Sequence, residues 1–180
     1  LVNFGSEYET NHAMELLNAL LSHERFGVVK SALLRHKAVP RLLQLLRSSV
    51  NGRLHHTAAK LMASLVDSCA EAQRLLIEEN GLSTFMKIVR NDWRGGPVLK
   101  ANAMRVLKTL VAHGRLLAQK IASDDTVLSS ITTYAHQEGF LLSYTGATPL
   151  QVAEACKEAA QLLCSLTKRM RTPPEEKEDE

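Results

Sequence analysis

Side chains able to do chemistry are plentiful here but poorly grouped. Seven histidines stand at His12, His23, His36, His55, His56, His113 and His136. A zinc site needs convergent ligands, most simply two histidines one helical turn apart around a glutamate, and no His-Glu-x-x-His run occurs. His55 and His56 are adjacent, and neighbours on a helix point about 100° apart, so one metal does not easily take both. Cys69, Cys156 and Cys164 lie at no metal-binding or redox spacing, and no cysteine–histidine pairing of the nucleophilic sort appears. The adjacent acids Glu78-Glu79 and Asp124-Asp125 fall at expected helix ends, where capping and hydration explain them better than acid–base work. Gly95-Gly96-Pro97 precedes a helix but lacks the Lys and Ser/Thr of a phosphate loop, and there is no Gly-x-Ser-x-Gly elbow. These residues predict no enzyme, no metal and no cofactor.

The elements that carry them are helical. Apolar residues make up 45% of the 180-residue chain but aromatics only 4%, so Leu, Ala, Met and Val must fill the interior. That balance suits helix-on-helix packing better than a sheet, which favours aromatic and β-branched side chains. Self-similarity organises the helices. Ala13-Met14-Glu15-Leu16-Leu17-Asn18-Ala19-Leu20-Leu21 aligns with the stretch from Ala58 to Val66, and then with Ala103 to Val111, each time after 45 residues. A fourth copy, Ala159 to Leu166, follows after 56, which places an 11-residue insertion before it. Every copy spaces its apolar residues as one face of an amphipathic helix.

A second helical element recurs between these. Lys37-Ala38-Val39-Pro40-Arg41-Leu42-Leu43-Gln44-Leu45-Leu46-Arg47-Ser48 carries proline in its first turn, where the missing N–H costs nothing. Its partners run from Asn80 to Val89 and from Asp124 to Ile131, with Asn80-Gly81 as a left-handed helix end and Ser123, Asp124 and Asp125 as cap donors. Short helices are expected near 24–35, 70–78 and 115–122, with Gly114 at the bend before the last. Each unit is thus a short helix, a second helix and a long third helix. Leu1 lies 45 residues before Leu46, so the segment is expected to start within a repeat.

The stretch Ala38-Val39-Pro40-x-Leu42-Leu43-x-Leu45-Leu46-x-Ser48, followed by the Ala-Ala-x-x-x-x-x-Leu third helix, resembles the armadillo repeat family over about residues 1–170. The resemblance implies an all-α, right-handed superhelical solenoid of about four repeats, incomplete at its N-terminal edge, whose third helices line a groove for an extended peptide. Nuclear-signal receptors of that family use a Trp and an Asn four residues apart on those helices. Here the Trp positions are Glu15, Lys60, Arg105 and Gln161 and the Asn positions Ala19, Ser64, Thr109 and Ser165, so that mode of recognition is not expected. Instead His56, Lys60, Arg105 and Lys108 form a candidate row of cations for an acidic peptide, as in the catenin branch; a solvated helix face is the plainer reading.

Charge and the remaining segments complete the expectations. Glu175, Glu176, Lys177, Glu178, Asp179 and Glu180 hold five acids and one base; without them the body carries 21 Lys and Arg against 14 Asp and Glu, near +7. Residues 172–180 are expected to be an acidic disordered tail beyond a repeat domain of 1–171, and the tail could mask a basic groove. The insertion crowds Phe140, Leu141, Leu142 and Tyr144 into one loop, either folded onto the core or offered to a partner, and Trp93 could serve in either way. Thr148-Pro149 then restarts a helix. The expected function is a protein-interaction scaffold or adaptor binding a peptide or partner domain. The alternatives are a regulatory, non-catalytic segment of a larger enzyme and, less favoured because stacking aromatics are scarce, a nucleic-acid binder. No membrane contact is expected. Three cysteines and no leader fit reduced thiols in cytoplasm or nucleus.

Overall fold

Local start signals fix where the first and last long helices begin. A computed structural model describes residues 6–22, 27–48, 52–90, 96–136 and 147–171. Helix α1 (Glu7–Leu21) opens on a capping box: the Ser6 hydroxyl accepts from the Glu9 N–H at 3.4 Å, and the Ser6 N–H donates to the Glu9 carboxylate at 2.7 Å. Helix α10 (Pro149–Arg171) opens the same way, with Thr148 and Gln151 exchanging bonds of 3.0 and 3.4 Å around the proline. Between them run α2 (Gly27–Arg35), α3 (Ala38–Ser48), α4 (Gly52–Val66), α5 (Ala70–Glu78), α6 (Gly81–Arg90), α7 (Gly96–Val111), α8 (Arg115–Ala122) and α9 (Asp125–His136). The described residues are all-helical, with no strand among them.

The helices fall at the expected places with two differences. Helix α9 continues past Ile131 to His136, and Tyr134, buried with its ring beside Lys100 of α7, extends the apolar face. Helix α10 begins at Pro149, so the fourth copy at 159–166 is only part of a 23-residue helix. The joints match their residue types. Lys37 and Asn80, each between a short helix and a second helix, hold φ of 55° and 54°; Asn tolerates this left-handed region better than most residues. Gly81 follows Asn80, and a Cβ there would lie 2.2 Å from Leu76 Cδ1 and 2.8 Å from the Leu76 carbonyl oxygen. Glycine lets α5 and α6 meet that closely. Asp124 caps α9, accepting from the Val127 N–H at 3.2 Å and the Thr126 hydroxyl at 2.6 Å.

Packing runs along the chain from unit to unit. Helix α1 lies against α4, α4 against α7 and α7 against α10, while α3 meets α6 and α6 meets α9. The α1–α4 pair is parallel and in register: Thr57 bonds Asn11 and Ser64 bonds Asn18, both 46 residues apart. Alanines at the contact, Ala58, Ala59, Ala103, Ala155 and Ala159, are fully buried and let the helix backbones approach. Leu43, Met62, Leu76, Phe85, Met104, Leu107 and Ile131 fill the space between units; sealing such a side chain from water contributes roughly 1.5–3 kcal/mol. Arginines at the ends of second helices tie each unit to the next. Arg47 donates to the Glu79 carbonyl at 2.7 Å and to Thr84 Oγ1 at 3.1 Å, and Arg90 pairs with Asp124.

Two charged side chains are buried among the described residues, Lys100 and Glu158. Lys100 is 2% exposed, with its Nζ 5.2 Å from the centroid of the Tyr134 ring and 3.5 Å from Ser130 Oγ. The ring face supplies negative potential to the ammonium. Ser130 donates its own proton to the Val89 carbonyl at 2.8 Å, which leaves its oxygen lone pairs for the lysine.

Candidate binding groove

The four residues of the candidate groove separate into two pairs. Arg105 and Lys108 are three residues apart on α7 and face α10 across the parallel seam. Arg105 donates from Nε to Glu158 at 3.1 Å and from a terminal nitrogen to Glu154 at 2.9 Å. Lys108 donates to the other Glu158 oxygen at 2.9 Å and to the Gln161 side chain. The Glu158 side chain is only 6% exposed. Burial alone would push its carboxyl up, but the Lys108 hydrogen bond and the Arg105 charge outweigh that and hold it below the usual range. Burial likewise opposes the charge on Arg105, and the two glutamates raise its pKa above the ordinary value. These two cations are therefore occupied within the chain.

Lys60, one turn from His56, stands differently. The two lie on α4 and line an open cleft of about 320 Å³ with Glu15, Asn18, Thr57 and Val98. Lys60 is exposed and forms no ion pair among the described residues; Glu15, the acid in the same cleft, pairs instead with His12 and Arg53. The cleft floor is polar, and its one carboxylate is Glu15. The Thr57 hydroxyl donates to Asn11 Oδ1 at 2.7 Å, the Asn11 amide donates to Glu15 at 2.8 Å, and the Ser64 hydroxyl donates to Asn18 Oδ1 at 3.2 Å. Asn18 is 5% exposed, and its Nδ2 has no partner. Next to this region His55 is partly buried, and that burial lowers its pKa despite a backbone hydrogen bond to Leu45 that favours its charge.

The residues that sequence reasoning passed over are the acids. Counting the repeat offset forward, Thr57, Asn102 and Glu158 share one register position, and all three are buried polar side chains. A carboxylate at that position in the last unit was the available signal that Arg105 and Lys108 have an internal partner. Phe140, Leu141, Leu142 and Tyr144, together with Trp93 and the tail at 172–180, lie outside the described residues. Among the described residues no three His, Cys, Asp or Glu side chains are grouped to hold a metal ion, and no helix is long and apolar enough to cross a membrane.

Comparison with known proteins bears on the fold alone. No family model and no curated protein matches the chain. Among solved structures, the crystal structure of an engineered protein from the Northeast Structural Genomics Consortium superposes with a TM-score of 0.60 at 16% identity, covering 92% of this chain and 76% of that one. At that identity the likeness is one of helical architecture.

Proposed function

We propose that the chain is a right-handed armadillo-type solenoid that works without catalysis, as a scaffold holding an acidic peptide along its third helices. The observation that carries this reading is the contrast between two equivalent cations. Arg105 already holds two carboxylates, whereas Lys60, one repeat earlier, lines an open cleft and forms no ion pair among the described residues, the Glu15 of that cleft being engaged by His12 and Arg53. The α7–α10 seam shows what chemistry such a helix face performs: a guanidinium and an ammonium gripping a carboxylate from a parallel neighbour. A peptide glutamate or aspartate would meet the same chemistry at Lys60. Arg105 and Lys108 would contribute mainly through the field they share with α10.

Fluorescence anisotropy tests this with a labelled twelve-residue peptide rich in Glu and Asp, compared with its Gln/Asn counterpart. The acidic peptide binds more tightly, its affinity falls as salt rises, and Lys60→Glu weakens it by about tenfold or more, as expected for replacing an attraction by a repulsion. Equal affinity for the two peptides, or an unaltered affinity in the Lys60→Glu protein, removes the groove reading. A steeper salt dependence with single-stranded DNA than with the peptide would move it to nucleic acid.

A further inference from the structure

Each seam between third helices has a place where a charge on the earlier helix meets the later one, and the middle seam leaves that place half filled. Counting by the repeat offsets, Glu15, Lys60 and Arg105 share one position, and the residues opposite them, Arg53, Val98 and Glu154, share another. In the α1–α4 seam Arg53 pairs with Glu15 at 4.0 Å. In the α7–α10 seam the polarity is reversed, and Arg105 pairs with Glu154 at 2.9 Å. The α4–α7 seam sets Lys60 against Val98 on the walls of one cleft. The second acid of the last seam has no counterpart there either. Asn102 stands where Glu158 does, and its amide donates to the Val98 carbonyl at 2.9 Å. This seam is flanked on both sides by described third helices, α1 and α10, so the gap is internal to the stack.

We infer that Val98 determines the specificity of the groove: by leaving its position uncharged, it lets Lys60 take one carboxylate from a peptide, in the place that Glu154 fills against Arg105. The inference rests on the acidic-peptide reading and names the subsite and the charge within it. Asn18 is a second observation that points to a ligand. It lines the same cleft and is 5% exposed; its Oδ1 accepts from Ser64, while its buried Nδ2 has no partner. An unsatisfied buried donor costs stability until something accepts from it. The counterpart of Asn18 in the ionic seam is Lys108, which donates to Glu158 at 2.9 Å.

Glu15 sets the charge of the ligand. Its carboxylate, held by the Asn11 amide at 2.8 Å, lies in the same cleft as Lys60. A phosphoryl group, with its larger negative charge, would meet more repulsion there than a single carboxylate does.

Val98→Glu tests this by supplying the carboxylate from within the chain. In a double-mutant cycle read by urea unfolding, it should favour the folded chain about two- to fivefold more with Lys60 present than with Lys60→Ala, the size of an exposed ion pair. Absence of that coupling overturns the inference, because residue 98 would then not face Lys60. With the labelled acidic peptide, Val98→Glu should weaken binding about tenfold, as Lys60→Glu does. Val98→Gln, equal in length but neutral, should keep most of the affinity and serves as the reference for crowding. Equal losses from the two variants overturn the assignment of charge to this position. Unchanged affinity in Val98→Glu, with Lys60→Glu still defective, overturns the inference and leaves the acidic-peptide reading standing. An unmodified chain with no preference for the acidic peptide over its Gln/Asn counterpart defeats both, whatever the urea cycle gives. A peptide with phosphoserine in place of one glutamate should bind no better than its parent; tighter binding overturns the choice of a carboxylate.

Discussion

The seam between α1 and α4 and the seam between α7 and α10 are built on one plan with different chemistry. In both, parallel third helices meet through buried polar side chains at the same register. The buried part of the first is neutral, with Asn11 bonded to Thr57 and Asn18 to Ser64, and its ion pair, Arg53 with Glu15 at 4.0 Å, lies at the exposed rim. The second is ionic, with Arg105 and Lys108 enclosing Glu158. A short threonine leaves a cleft beside the neutral seam, whereas a glutamate spans the ionic one and consumes the cations opposite it. One substitution type at one register position thus decides whether a third-helix face is satisfied internally or faces solvent.

Glu158→Ala should break the contrast most strongly. It leaves Arg105 and Lys108 partly buried around a vacancy, and since both retain some water the loss should be about 2–3 kcal/mol, below that of a fully sealed pair; the urea midpoint reports it. Acid should then separate the two seams without mutation. Because the Glu158 pKa is depressed in the folded chain, its stabilisation is complete above the unfolded value of about 4.3 and drains as pH falls through the lower folded value. Amide exchange in α10 should accelerate in that window more than exchange in α1. Equal acceleration would show that the ionic seam carries no special share.

Smaller effects sharpen the neutral side. Thr57→Val removes the donor to Asn11 while keeping the shape, and should cost about 1 kcal/mol in the same urea experiment. Asn18→Ala gives up one 3.2 Å bond but also relieves the unpartnered amide nitrogen, so a loss below about 1 kcal/mol is expected. A larger loss from Asn18 than from Thr57 would mean that its nitrogen has a partner in solution, such as a bound water.

Repeat spacing made most of the helices legible. The 45-residue offset places α4 and α7 from α1, and Asp124 and Thr148 announce the helices they cap. The fate of Arg105 and Lys108 was harder to read, because their partners lie 49–53 residues away, beyond an insertion that shifts the register. Equivalence between repeats shows which side chains share a position; whether a neighbouring unit neutralises them depends on side-chain length across the seam. Lys100 escaped notice for a related reason. A lysine reads as solvated until Tyr134 and Ser130, from a different helix, are seen to receive it.

That buried lysine gives the molecule an internal clock. An amine-directed acylating reagent reaches Lys60 at once but can reach the Lys100 nitrogen only when α7 and α9 part. The lag between labelling at the two sites therefore times the transient separation of neighbouring units, with Lys60 as the reference for the reagent itself.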